Sequence, residues 1–283
     1  MKADACMVHE SCPLPAARPY ARKRVPSVTT LIGVMDKPGL SWGAAKETAI
    51  FAFEHQDQWS RLDKDEAVER LRKHHRGVWD ASARVGTMCH AVAEAWSYGR
   101  DWNAPDDLED ELYERMAGYV SGLEAFFADA KPEVIATELV VAGNCGFHGE
   151  AEFPYTGTAD WLCNINGEPW LLDIKTTSNL DESKEFYTRE WRLQLAAYRW
   201  ASEIVHYHGT EEVARWKFED CVPRPTRTGI VHMRGNGGYQ LIDVATPVEL
   251  LNELAACAII HRWGLTSGHA SPAPVIAMER KAS

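Results

Sequence analysis

Residues 157–177 read GTADWLCNINGEPWLLDIKTT, an apolar run that nevertheless carries Asp160, Asp173 and Lys175. Near its middle stands Asn166-Gly167, the dipeptide best suited to a two-residue hairpin loop, because both central positions of that turn need positive φ. With this pair as the loop, Ile165 faces Glu168, and Asp160 comes directly opposite Asp173. Lys175 lies two residues further on, so strand alternation sends its side chain from the same face. Trp161, Leu162, Leu171, Leu172 and Ile174 make both faces apolar. That predicts a hairpin interior to a sheet covered on both sides.

Two facing carboxylates in such surroundings repel each other, and one ammonium offsets only part of the repulsion. A divalent cation held by both resolves the conflict, and oxygen donors suit Mg²⁺ or Mn²⁺. The competing account is a purely structural Asp–Lys–Asp network. A register slip of one residue would undo the inference, since it moves one strand's charges to the opposite face.

Upstream the pattern is helical. Ser41 can cap WGAAKETAIFAFEHQ, and further helices are predicted over 63–83, 86–98 and 106–129. The texture changes at Pro132: VIATELVVA reads as a strand, followed by the hairpin and a helix over about 186–204. ARWKFEDC, TGIVHMR and GYQLIDVA then read as strands, and VELLNELAACAIIHRWG as a closing helix. The expected organisation is a flexible basic tail (1–25), a helical region contributing His90 (26–130), an α/β core (131–268) and a C-terminal tail (269–283).

With 283 residues the chain is long enough for one large core. Its net charge of -11 argues against coating nucleic acid by bulk attraction, but leaves room for a local groove with bound cations. The seven cysteines are scattered singly without a C-x-x-C pair, which speaks against structural zinc and for buried free thiols. No apolar run approaches the roughly 20 residues that cross a bilayer, and MKADACMVHESC lacks a signal-peptide core. A cytoplasmic protein without a membrane partner is expected.

The motifs G157-T-A-D160 and D173-I-K-T176 resemble those of the PD-(D/E)XK nuclease superfamily, most closely its RecB-like and Cas4-like exonuclease branch, common in bacterial and phage recombination systems. That branch carries in order G-x-x-x-H on a helix, a strand Glu, G-x-x-D, D-x-K-T and a helical Q-x-x-x-Y. Here these fall on Gly86 to His90, Glu138, Gly157 to Asp160, Asp173 to Thr176, and Gln194 to Tyr198. The resemblance implies a restriction-endonuclease-like core with a central mixed sheet flanked by helices. It also implies a DNA exonuclease of recombination, repair or end resection, with one or two Mg²⁺ or Mn²⁺ ions and DNA as partner. A helicase or other recombination protein would be a separate chain, because no Walker-type phosphate loop is present. Cas4-like relatives hold an iron–sulfur cluster through one early and three late cysteines; Cys221 and Cys257 form no such late group, so neither cluster nor nucleotide cofactor is expected.

The resemblance assigns His90, Asp160, Asp173 and the Ile174 carbonyl to the metal, and Lys175 to the attacking water and the charge of the transition state. Glu138 would support the metal or its waters, and Gln194 with Tyr198 would bind a phosphate, the lysine or a nucleotide. His90 lies on an apolar helix, where a satisfied core histidine is the alternative; Gln194 and Tyr198 could likewise be core polar residues. Glu94, Glu150 and Glu152 are further acidic candidates. Arg189, Arg192 and Arg199, and the patch Arg72, His74, His75 and Arg76, are candidates for the nucleic-acid backbone. Two rival functions are a nuclease-fold DNA-binding or scaffold protein with weak or no cleavage, and a metal-dependent hydrolase of small phosphodiesters.

Overall fold

The computed structural model describes residues 25–105, 108–147, 153–177, 189–208 and 211–267. Residues 1–24 of the basic tail, Glu150, Glu152 and the C-terminal tail lie outside them. The strands are β1 (Glu133–Cys145), β2 (Phe153–Ile165), β3 (Glu168–Thr177), β4 (Glu203–His208), β5 (Glu211–Lys217), β6 (Arg227–Arg234) and β7 (Tyr239–Asp243). They form one seven-stranded sheet in the order β5-β4-β1-β2-β3-β6-β7. Every neighbouring pair is antiparallel except β3–β6, so the sheet is mixed.

The helices are α1 (Val28–Ile32), α2 (Pro38–Glu54), α3 (Lys64–Ser97), α4 (Asp110–Ala130), α5 (Arg189–Arg199), α6 (Phe218–Cys221) and α7 (Leu250–Ser267). α1, α5 and α7 cover one face of the sheet, burying Leu31, Leu193 and Leu254 with Leu162, Leu171 and Ile230. α3 and α4 cover the other, burying Cys89, Leu123 and Phe126 with Trp161, Leu172 and Ile174. Each fully buried leucine or phenylalanine contributes about 1.5–3 kcal/mol, so the two apolar faces of the hairpin explain why both layers stay attached.

The hairpin folds as its sequence dictates. Asn166 and Gly167 take φ of 53° and 82°, and the β2–β3 ladder runs from Ile165↔Glu168 to Trp161↔Leu172. Other elements differ from expectation. The predicted helices 63–83 and 86–98 are one helix of 34 residues, α3, because no proline interrupts the segment between them. Asp63 caps it, its carboxylate accepting from the Asp65 and Glu66 amides at 2.9 and 3.0 Å. α2 begins at Pro38, ahead of Ser41, since proline suits the first helical turn. The helix expected over 186–204 ends at Arg199, and Glu203 already belongs to β4. The FEDC part of ARWKFEDC is the short helix α6.

α4 is fixed to the sheet by close backbone approach. A Cβ on Gly118 would fall 1.8 Å from the Gly235 carbonyl oxygen, and one on Gly122 would lie 2.7 Å from that of Gly238. Only glycines let the helix rest on the β6–β7 turn. Among the described residues, no helix is long and apolar enough to cross a membrane.

Candidate metal centre

The β2–β3 ladder stops at Trp161↔Leu172, one step short of Asp160 and Asp173. Beyond that point β3 stays with β6, where Asp173 lies beside Ile230 and Lys175 beside His232. The Ile174 amide donates instead to Asp160 Oδ2, at 2.8 Å. A carboxylate thus replaces a ladder carbonyl, and the strands part where the acids sit.

β1 has its own irregularity at the same level. Thr137 pairs with Trp161 and Leu139 with Ala159, which sets Glu138 across from Asp160. Glu138 has φ of 48°, a left-handed backbone that a non-glycine residue adopts only at a cost of about 1–3 kcal/mol. Both strands change the parity of their faces here. Ala136 and Leu139 face the same layer, as do Ala159 and Leu162, whereas Val134 and Trp161 face the other. The register sets Glu138 opposite Asp160, and the change of face falls where these two acids meet.

The third member comes from α3. His90 Nδ1 is 3.6 Å from Asp160 Oδ2. One potential donor atom each from His90, Glu138 and Asp160 lies within 4.8 Å of the others. The neighbouring Cys89 is fully buried, and burial pushes its thiol up to about 12. It takes no part in the cluster, because successive helical side chains diverge by about 100°.

Asp173 belongs to a second, adjoining group. Lys175 Nζ lies 2.5 Å from Asp173 Oδ2. Gln194 Nε2 donates to Asp173 Oδ1 and to the Tyr198 hydroxyl, each at 3.1 Å. The site is therefore entered from both helical layers, by His90 of α3 on one side and by Gln194 of α5 on the other. Two glycines make this approach feasible. A Cβ on Gly157 would lie 2.3 Å from the Tyr198 ring, and one on Gly86 would lie 3.2 Å from Thr176 Oγ1.

Burial pushes the Asp160 carboxyl up to about 6, and the charge of Asp173 pushes the same way; His90, Lys175 and the Ile174 amide offset this only in part. For Lys175, burial acts against the charge, but the Asp173 and Asp160 carboxylates outweigh it and raise its pKa above the usual lysine value. Lys175 is an ammonium at neutral pH. A buried, mutually repelling pair of acids with an imidazole beside it fits a divalent cation that accepts oxygen and nitrogen donors, of the Mg²⁺ or Mn²⁺ kind.

Other sequence candidates fall elsewhere. Glu94 is half-buried one turn along α3 from His90. Arg189 pairs with Glu253 at 2.7 Å, Arg192 donates to the Ala245 carbonyl, and Arg199 reaches Thr246 and the Thr226 carbonyl. These arginines bind their own fold near α7 and the loop before it. Arg72 pairs with Glu69, and His74 stacks on Phe51 with ring centroids 3.9 Å apart. Arg76, the nearest of that patch, is about 20 Å along the helix axis from His90. The sequence signal for Glu138 was a lone acid in ATELVVA; its place across from Asp160 is set by the β1–β2 register, which no local sequence feature announces.

The protein-family model of the PD-(D/E)XK nuclease superfamily matches residues 52–255. None of the curated proteins matches the chain. Among solved structures, one described as "Crystal structure of SSO0001" is similar at 13% identity and a TM-score of 0.38, covering 90% of this chain and 82% of that one.

Proposed function

Because this chain belongs to the PD-(D/E)XK nuclease superfamily, we propose that it is a divalent-cation-dependent deoxyribonuclease that degrades DNA from its ends, in recombination, repair or end resection. The observation that carries this reading is the convergence of His90, Glu138 and Asp160 beside the ammonium of Lys175. His90, Glu138 and Asp160 would hold a Mg²⁺ or Mn²⁺ ion, with Asp173 and the Ile174 carbonyl as further donors. When bound, such an ion supplies Lewis-acid polarisation of the phosphate and a bound water of lowered pKa.

The chain's own groups have distinct tasks. Hydrolysis joins a water oxygen to phosphorus while one ester bond breaks, and negative charge grows on the phosphoryl oxygens. Lys175, kept protonated by the paired acids, orients the water as a donor and stabilises that charge. Asp173 fixes the ammonium, Gln194 fixes Asp173, and the Tyr198 hydroxyl fixes Gln194. Arranged in advance, these groups need no reorganisation during the reaction. The chain's net charge of -11 makes DNA binding dependent on this local site, so affinity falls as salt rises.

The test is digestion of linear and covalently closed DNA with EDTA, Mg²⁺ or Mn²⁺. Linear DNA is degraded only with a cation, closed circles survive, and Lys175→Ala slows cleavage by about 10²–10³-fold. Cleavage by Lys175→Ala at the unmodified rate, or degradation persisting in EDTA, overturns the proposal.

A further inference from the structure

Two turns beyond His90, the end of α3 makes a directed contact with β1. The Tyr98 hydroxyl lies 2.9 Å from Thr137 Oγ1. Thr137 is 2% exposed and immediately precedes Glu138. The Arg100 guanidinium lies over the Tyr98 ring, 4.8 Å from its centroid. Neither Tyr98 nor Thr137 belongs to the donor cluster, and the proposed chemistry uses neither.

The remaining contact between α3 and the sheet is made largely by apolar side chains, Val85, Cys89, Val92 and Ala93. Apolar packing is non-directional and by itself leaves a helix some freedom to slide or roll. A hydrogen bond to a buried hydroxyl is directional, and leaving that hydroxyl without its partner costs about 1–3 kcal/mol. Tyr98 directly follows α3 and stands eight residues, about 12 Å of helix rise, beyond His90, so what holds Tyr98 also sets the height of His90 over the sheet. At the other end of the bond, Thr137 adjoins a residue whose left-handed backbone persists only where its surroundings enforce it.

We infer that Tyr98 is a positioning residue, which through Thr137 holds Glu138 in its left-handed conformation and fixes the spacing of His90 and Glu138 for a cation. This rests on the metal-centre reading above and adds a determinant of cation affinity outside the donor set.

The experiment is calorimetric titration with Mn²⁺ alone, at fixed pH, of the unmodified chain, Tyr98→Phe, Glu138→Ala and the double variant. Tyr98→Phe weakens Mn²⁺ binding about tenfold while its far-UV circular dichroism is unchanged. On the Glu138→Ala background the same substitution costs only about two- to threefold, because Glu138 is gone and only the placing of His90 is left to lose. Unchanged affinity in Tyr98→Phe overturns the inference, and so does an equal loss on both backgrounds, which would mark a general structural role. Should Tyr98→Phe fail to fold, Thr137→Val cuts the same bond from the other side and is judged by the same outcomes. No Mn²⁺ binding by the unmodified chain overturns the metal-centre reading and this inference with it, whereas normal binding by both the unmodified chain and Tyr98→Phe removes this inference alone.

Discussion

At the Asn166–Gly167 end of the hairpin, five residue pairs run without interruption, and the turn uses the two residues that most readily accept positive φ. At the other end the same strands part, an amide bonds to an aspartate, and a glutamate on the neighbouring strand takes a left-handed backbone. The closed end follows the preferences of its turn and ladder, and the open end breaks several. The difference separates what holds the hairpin together from what the hairpin is for: ladder pairs and apolar faces provide stability, and part of it is spent on holding repelling acids close. Such a site is stable only because its surroundings over-determine it.

The sharpest challenge to this contrast is pH. In cation-free protein the Asp160 carboxyl is pushed from 3.8 up to about 6, so the folded chain holds that proton more tightly than the unfolded chain. Stability present below about pH 4 is then lost as pH rises toward 6, by an amount on the order of 3 kcal/mol. Denaturant midpoints across this window should fall for the unmodified chain and fall less for Asp160→Asn. Added Mn²⁺ should restore the midpoint at pH 7 far more than at pH 4.5. Identical profiles for the two proteins would mean that the open end carries no electrostatic burden.

A smaller effect sharpens the contrast from the α5 side. Gly157→Ala places a methyl 2.3 Å from the Tyr198 ring. Overpacking of this kind costs about 2 kcal/mol, and displacing Tyr198 and Gln194 should slow cleavage by about 10²-fold. Thermal unfolding and nuclease assays read the two effects separately. The smallest effect belongs to the closed end. Gly167→Ala meets nothing within 4 Å but must hold φ of 82°, which costs about 1 kcal/mol. Its cleavage rate and Mn²⁺ affinity should match those of the unmodified chain; a loss of activity would show that the two ends are not independent.

The same division explains what was legible in the sequence. The hairpin and its register follow from Asn166-Gly167, because the turn's stereochemistry leaves few alternatives. The two-sided covering of the sheet follows from consecutive apolar residues such as Leu171 and Leu172, which point to opposite layers. The continuity of α3 did not follow: Arg84-Val85-Gly86 is locally a weak spot, and it stays helical with no proline to break it and with Val85 buried against the sheet. β4 was hidden because the helix expected to about 204 covered its start, and its remaining residues become a strand through pairing with β1 and β5. At the site, alternation along β3 accounts for Asp173 and Lys175 leaving one face. Alternation fails at Glu138 and Asp160, so the grouping of Glu138 with His90 is a tertiary fact. Long-range bonds such as Tyr98 to Thr137 leave no periodic trace at all.

The burial of Cys89 beside His90 has a consequence for handling the protein. With its thiol pushed up to about 12, the reactive thiolate is only about one part in 10⁵ at neutral pH, and the sulfur is sealed in the α3–sheet layer. Peroxide and alkylating reagents therefore find no nucleophile at this position, and thiophilic ions gain no sulfur ligand from it. Inactivation by such agents, where it is observed, has its origin in another part of the chain.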